Sequence, residues 1–131
     1  PNYWLSCILL DEKAMCPVTR TATDTSWTPT PGKSCPDEIG AALAALNAEG
    51  GAIWKPMHLQ PMYRGNEFIT VNGRSRGSSD AYIEHGKSIE VTTDVFNRGL
   101  CLPSDNKQTK EQAEVIIEVV KRCFSLWGSE L

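Results

Sequence analysis

Residues 34–54 read SCPDEIGAALAALNAEGGAIW, Ser34 to Trp54, and they set out a helix followed by a strand. Pro36 suits the first helical turn because its missing N–H is not needed there. Ser34 or Cys35 stands ready as the cap, and Asp37 and Glu38 lie on the positive end of the helix dipole. Ile39, Ala42, Leu43 and Leu46 recur at helical spacing and make one apolar face. The Gly50-Gly51 pair predicts the end of the helix, with Gly50 in a left-handed terminal position. Ala52-Ile53-Trp54 then reads as a short strand.

Working outward, Tyr3 to Leu10 (YWLSCILL) is a near-continuous apolar run closed by Asp11-Glu12. It predicts a mostly buried strand. Residues 11 to 34 hold several Pro and Thr and few periodic apolar residues, which predicts a long loop with Trp27 as its anchor. On the other side, Phe68 to Val71 can pair with another short strand across the Asn72-Gly73 turn. Thr92 or Thr93 can cap a short helix through Arg98, with Gly99 as its terminator. Leu100-Cys101-Leu102 predicts a buried strand stopped by Pro103. Thr109 with Gln112 makes a capping box. Ala113, Ile116, Ile117, Val120, Phe124 and Trp127 form the stripe of a last long helix. Helices alternate with short strands, so the class is α/β: a small sheet of short strands with helices packed on it.

Composition bounds the function. The chain has 131 residues, 40% hydrophobic and 22% charged, which is the size and balance of one domain. Residues 1–131 are therefore read as a single domain. The net charge of −3 gives no support to nucleic-acid binding. No apolar run is long enough to span a membrane. The chain opens on Pro1 with no leader-like segment, and reads as a segment of a longer protein. Its five cysteines are widely spaced, with no C-x-x-C. That pattern argues against a zinc site and for a reduced, cytoplasmic protein. No metal site is expected.

The chemistry-bearing stretch is Trp54-Lys55-Pro56-Met57-His58-Leu59-Gln60-Pro61. Two prolines fix φ at both ends. The stiff loop they make at a strand end displays Lys55, His58 and Gln60, and ligand groups usually sit on such loops. His58 can donate to a phosphate or sugar oxygen or shuttle a proton; it can equally bond a backbone carbonyl in a mere capping loop. Cys101 can be read as a nucleophile with His58 or His85 as its base, against the commoner reading of a buried structural thiol. Arg64, Arg74 and Arg76 can form an anion patch, offset by Glu67, Asp80 and Glu84. No Walker loop, dinucleotide fingerprint or G-x-S-x-G elbow is present.

Three segments in this order, Asn2-Tyr3-Trp4-Leu5, Trp54 to Pro61 and Phe96-Asn97-Arg98-Gly99-Leu100-Cys101-Leu102-Pro103-Ser104, resemble the C-terminal domain of the DegT/DnrJ/StrS sugar aminotransferases. The likeness is nearest to the branch that makes 4-amino sugars on UDP, and Lys110 to Phe124 fits the same pattern. The resemblance implies the small domain of a pyridoxal-phosphate enzyme of the aspartate-aminotransferase fold type, which moves an amino group from glutamate to a nucleotide-linked keto sugar. It implies a large N-terminal domain of the same protein, absent from this chain, that carries the Schiff-base lysine and holds the cofactor. It also implies a homodimeric full enzyme. On this resemblance His58, then Met57 and Lys55, contact the nucleotide-sugar substrate. No catalytic or cofactor-binding residue is expected in the chain itself, no cofactor is expected bound to it, and alone it should be inactive. The competing class is a freestanding interaction or ligand-binding module, derived from such a domain, in which Trp4, Trp54 and Leu59 drive self-association.

Overall fold

The computed structural model describes residues 4–21, 23–63, 66–70, 73–76 and 91–125. Its centre is a three-stranded antiparallel sheet of β1 (Ser6–Leu9), β4 (Gly51–Ala52) and β7 (Gly99–Leu102). β7 lies in the middle, with β1 on one side and β4 on the other. Two hairpins accompany it, β2 (Val18–Arg20) with β3 (Thr25–Trp27) and β5 (Glu67–Thr70) with β6 (Gly73–Arg76). Among the described residues there are three α-helices: α1 (Pro36–Ala44), α2 (Val91–Arg98) and α3 (Lys110–Cys123). This is the α/β arrangement of a small sheet with helices against it. Among the described residues no helix is long and apolar enough to cross a membrane.

Local signals explain both long helices. Cys35 caps α1, its Sγ accepting from Glu38 N–H at 3.4 Å, and Pro36 takes the first turn. Thr109 and Gln112 close a reciprocal capping box at the start of α3. α1 and α3 pack against each other, and Ile39 and Leu43 are wholly buried beside Leu100 and Ile116. Leu10, Met15, Cys16, Val18 and Cys35 extend the same core.

Several expectations need correcting. β1 is not a buried strand: three of its four residues are exposed and only Ile8 packs against the core. An edge strand meets helices on one face only, so alternate side chains face outward however apolar the run. β7 is the buried strand, with Gly99, Leu100 and Cys101 all covered. Residues 11–34 are not one loop, because β2 and β3 pair there with Val18 opposite Trp27. Trp27 does anchor that segment, half-buried against the core. α1 ends at Ala44 rather than at the glycine pair, and Asn47 takes the left-handed backbone with φ 55°. Strand β4 stops at Ala52, short of Ile53 and Trp54. On α3, Ile116 is buried but Ile117 is half exposed, and Trp127 lies outside the described residues. The hairpin β5–β6 has the expected place; Val71 and Asn72 lie outside the described residues.

Arg98 ties the sheet edge to α2. Its guanidinium donates to the Leu10 carbonyl and grips Asp94 one turn back, with Nε to Oδ1 at 2.6 Å. Hydrogen bonds from Arg98 hold the Asp94 carboxyl below its ordinary value of 3.8. A depressed carboxyl stabilises the fold above its unfolded pKa, and that contribution fades as pH falls through the folded one. Denaturant midpoints should therefore drop as pH goes below 3.8. Asp94→Asn should be weaker at neutral pH and lose this part of the acid sensitivity; parallel profiles for the two proteins would exclude the pair as its source.

Candidate functional site

The proline-bracketed segment folds as two consecutive 3-10 turns, Met57–Leu59 and Pro61–Tyr63. Leu59 N–H donates to Pro56 O and Gln60 N–H to Met57 O, both at 3.0 Å. The Gln60 amide reaches back to the Lys55 carbonyl at 3.5 Å. Leu59 is wholly buried and anchors the turn, so it is not available for the association expected of it beside the exposed Trp4 and Trp54. The sequence thus dictates the loop locally: proline fixes each end and one leucine supplies the anchor.

The structure separates the three residues expected on the substrate. His58 is half-buried, with Nε2 3.2 Å from the hydroxyl of Thr93 on α2. Thr93 is itself buried, so the imidazole is oriented by a fixed partner. Met57 is 62% exposed and offers its thioether to whatever covers the loop. Lys55 turns to a different place, a cleft of about 220 Å³ that it lines with Arg20, Asp24, Asp37 and Phe96 among others.

Arg20 is the residue that sequence reasoning missed. Its side chain is 93% buried, being 7% exposed, and pairs with Asp37 at the start of α1. Its guanidinium lies 4.8 Å over the centre of the Phe96 ring. Its Nε and Nη1 find no hydrogen-bond acceptor among the described residues. No local signal marks it, since it is one basic residue in a threonine-rich stretch. The cleft holds two cations and two carboxylates, so its formal charges cancel.

Four of the five cysteines sort into two pairs, and Cys123 stands apart on α3. Cys101 stands directly opposite Cys7 across β1 and β7, with the sulfurs 3.5 Å apart. Burial, followed by the hydrogen bond to Cys7, pushes the Cys101 thiol up to about 11. That is the reverse of what a hydrolytic nucleophile activated by a histidine needs. His85 lies outside the described residues, as do Arg64, Asp80 and Glu84; of Glu67, Arg74 and Arg76 only the backbone is described. Cys16 and Cys35 are wholly buried, and their sulfurs and a Glu38 oxygen lie within 4.8 Å of one another. This set of three possible metal ligands was not foreseen from the spacings. Its members already serve the fold: Cys35 caps α1, and Ser34 Oγ donates to Glu38 Oε2 at 2.6 Å. Burial pushes the Cys35 thiol up to about 12, which keeps it protonated.

Pyridoxal phosphate needs an anion cradle and a lysine beside it. The described residues do not supply them. Each helix carries an acid in its first turn, Asp37 and Glu38 in α1, Asp94 in α2 and Glu111 in α3, and a phosphate there meets like charge. Lys55 lies in a cleft with Asp24 and Asp37.

A small α/β domain that holds a proline-bracketed histidine loop against its helix α2 is the class these features define. Among curated proteins, the chain is similar to the Bacillus subtilis (strain 168) protein named "Putative pyridoxal phosphate-dependent aminotransferase EpsN", 32% identical over 89 residues. The match takes in 68% of this chain and 19% of that protein, so it spans about a fifth of the relative's length. No family model matches the chain. No solved structure matches it.

Proposed function

We propose that this chain is the C-terminal small domain of a pyridoxal-phosphate-dependent aminotransferase that moves an amino group from glutamate to a nucleotide-linked keto sugar. The observation that carries the reading is the 32% identity to the EpsN protein over two thirds of the chain. The geometry of the His58 loop is consistent with it. A large N-terminal domain of the same protein supplies the Schiff-base lysine and the phosphate cradle, which the described residues lack. The small domain supplies shape: a loop fixed by Pro56 and Pro61, an oriented imidazole on Thr93, and an exposed methionine beside it. His58 and Met57 face the sugar nucleotide in this reading, and Lys55 acts from the neighbouring cleft. The full enzyme works as a homodimer in the cytoplasm.

The test is His58→Gln in the full enzyme. Transamination should fall about 10- to 100-fold in kcat/KM, the order that misplacing a positioned group costs. Absorbance of the bound cofactor should be unchanged. An unaltered rate would remove His58 from the substrate. The chain alone should not transaminate, and turnover by it would sink the proposal.

A freestanding interaction module is favoured by one observation. Trp4 and Trp54 are 68% and 63% exposed, with their rings 5.9 Å apart. In the first reading this pair docks the large domain; in the second it binds another protein. The intact mass of the protein in its source cells separates them. A species about three times the size of this chain fits a large domain plus this one, and a species of the chain's own mass fits the module.

A further inference from the structure

The alternation of the β1–β7 ladder puts Cys7 and Cys101 in a special register. Leu10 N–H donates to Arg98 O at 3.0 Å, so Leu10 and Arg98 form a hydrogen-bonded pair just beyond the strand ends. In an antiparallel ladder such pairs alternate with non-hydrogen-bonded ones. Ile8 opposite Leu100 is then hydrogen-bonded, while Leu9 opposite Gly99 and Cys7 opposite Cys101 are not. The next hydrogen-bonded site agrees. There Ser104 Oγ sits between the two strands, accepting from Ser6 N–H at 2.9 Å and donating to Leu102 O at 2.9 Å.

Non-hydrogen-bonded partners bring their Cα atoms to about 4.5 Å, within the range of about 4.4–6.8 Å that a disulfide tolerates. The two sulfurs are already 3.5 Å apart on the same face of the sheet. An S–S bond of about 2.0 Å needs them to approach by about 1.5 Å, which side-chain rotation can supply without a change of register. Cys7 is exposed on the edge strand, and Cys101 is buried on the central one. One sulfur can therefore be reached from solvent, and the other is in place to resolve what forms on it.

We propose that Cys7 and Cys101 are a redox-active pair that closes a cross-strand disulfide by exchange with a small-molecule disulfide such as oxidised glutathione. The Cys7 thiolate attacks one glutathione sulfur, the glutathione S–S bond breaks, and one glutathione thiolate leaves. The Cys101 thiol then gives its proton to water, and its sulfur attacks Cys7 Sγ, expelling the second glutathione thiolate. Two cysteine thiols are oxidised, and one glutathione disulfide is reduced to two thiols. The second step is the slow one, since Cys101 holds its proton more tightly than an ordinary thiol.

The other close pair provides an internal control. Cys16 and Cys35 are both wholly buried, so a glutathione disulfide cannot reach either. The experiment incubates the purified protein with oxidised glutathione, denatures it in an alkylating agent, and counts free thiols by intact mass. The protein starts with five free thiols; five less two leaves three, and the digest should hold a linked peptide joining Cys7 to Cys101. Dithiothreitol should restore all five. Cys7→Ser, a change at an exposed position, should keep its remaining thiols free. Cys101→Ala should stop at the mixed disulfide and gain one glutathionyl group on Cys7. A stable mixed disulfide on Cys7 in the unaltered protein would overturn the proposal. So would a bridge between two chains through Cys7, a Cys16–Cys35 link, or no loss of thiols.

Discussion

Gly99→Ala should lower the melting temperature by about 10–15 °C, taking about 3 kcal/mol of overpacking and a slope between those of smaller and larger domains. A Cβ at position 99 would lie 2.4 Å from Ile53 Cγ1 and 2.4 Å from the Val95 carbonyl oxygen. The isoleucine side chain can swing aside, but the carbonyl belongs to α2 and cannot. Either α2 lifts from β7 or the strand shifts against its two neighbours, and both movements open the core around Leu100. Gly40→Ala is the matched control. It makes the same chemical change in the interior of α1, where nothing lies within 4 Å of the added carbon. Removing backbone freedom there should raise stability by about 0.5–1 kcal/mol. Opposite signs in two thermal melts check the argument, and a Gly99→Ala melt equal to the unaltered protein would refute the close approach.

That glycine shows where sequence reading succeeds and where it stops. Before a strand and after a helical pattern, Gly99 reads as a helix terminator, and α2 does end at Arg98. The reason is different: among the described glycines only Gly32 has positive φ, so Gly99 is needed for space rather than for a left-handed turn. Features decided within one helical turn were legible. Pro36 after a capping residue and the Thr109–Gln112 box follow from groups three residues apart. The stiff loop between Pro56 and Pro61 follows from two fixed φ angles. Features decided by distant parts of the chain were not. The exposure of β1 depends on its place at the sheet edge, which only its pairing with β7 reveals. Arg20 finds Asp37 and Phe96 because a hairpin folds back onto α1 and α2, and a threonine-rich stretch carries no trace of that. Cys7 and Cys101 are 94 residues apart, and nothing in the spacing announces the register that joins them. The proline-bracketed loop was therefore legible from sequence, while the His58–Thr93 contact and the cleft that Lys55 shares with Arg20 were not.

Leu59→Ala should cost about 2–5 kcal/mol, the range for a wholly buried leucine cut to alanine. Leu59 has no exposed surface, yet it stands outside the main cluster of Ile39, Leu43, Leu100 and Ile116. It is the one wholly buried side chain of the turn Met57–Leu59. Truncation leaves a void that two prolines prevent the loop from collapsing into, so the upper half of that range is expected. The damage should also be local. The turn's own hydrogen bonds, Leu59 N–H to Pro56 O and Gln60 N–H to Met57 O, are short-range and cannot hold the loop to the rest of the fold by themselves. Hydrogen exchange at these two amides should quicken more than at Leu43 or Ile116, which lie in the other cluster. Met57→Ala, two residues away but 62% exposed, should stay within about 0.5 kcal/mol of the unaltered protein. If the loop positions His58 for a substrate, Leu59→Ala in the full enzyme should lower kcat/KM at temperatures where the rest of the fold is intact. Equal melting for Leu59→Ala and Met57→Ala would mean that the prolines alone hold the loop, and the burial argument for the site would fall with it.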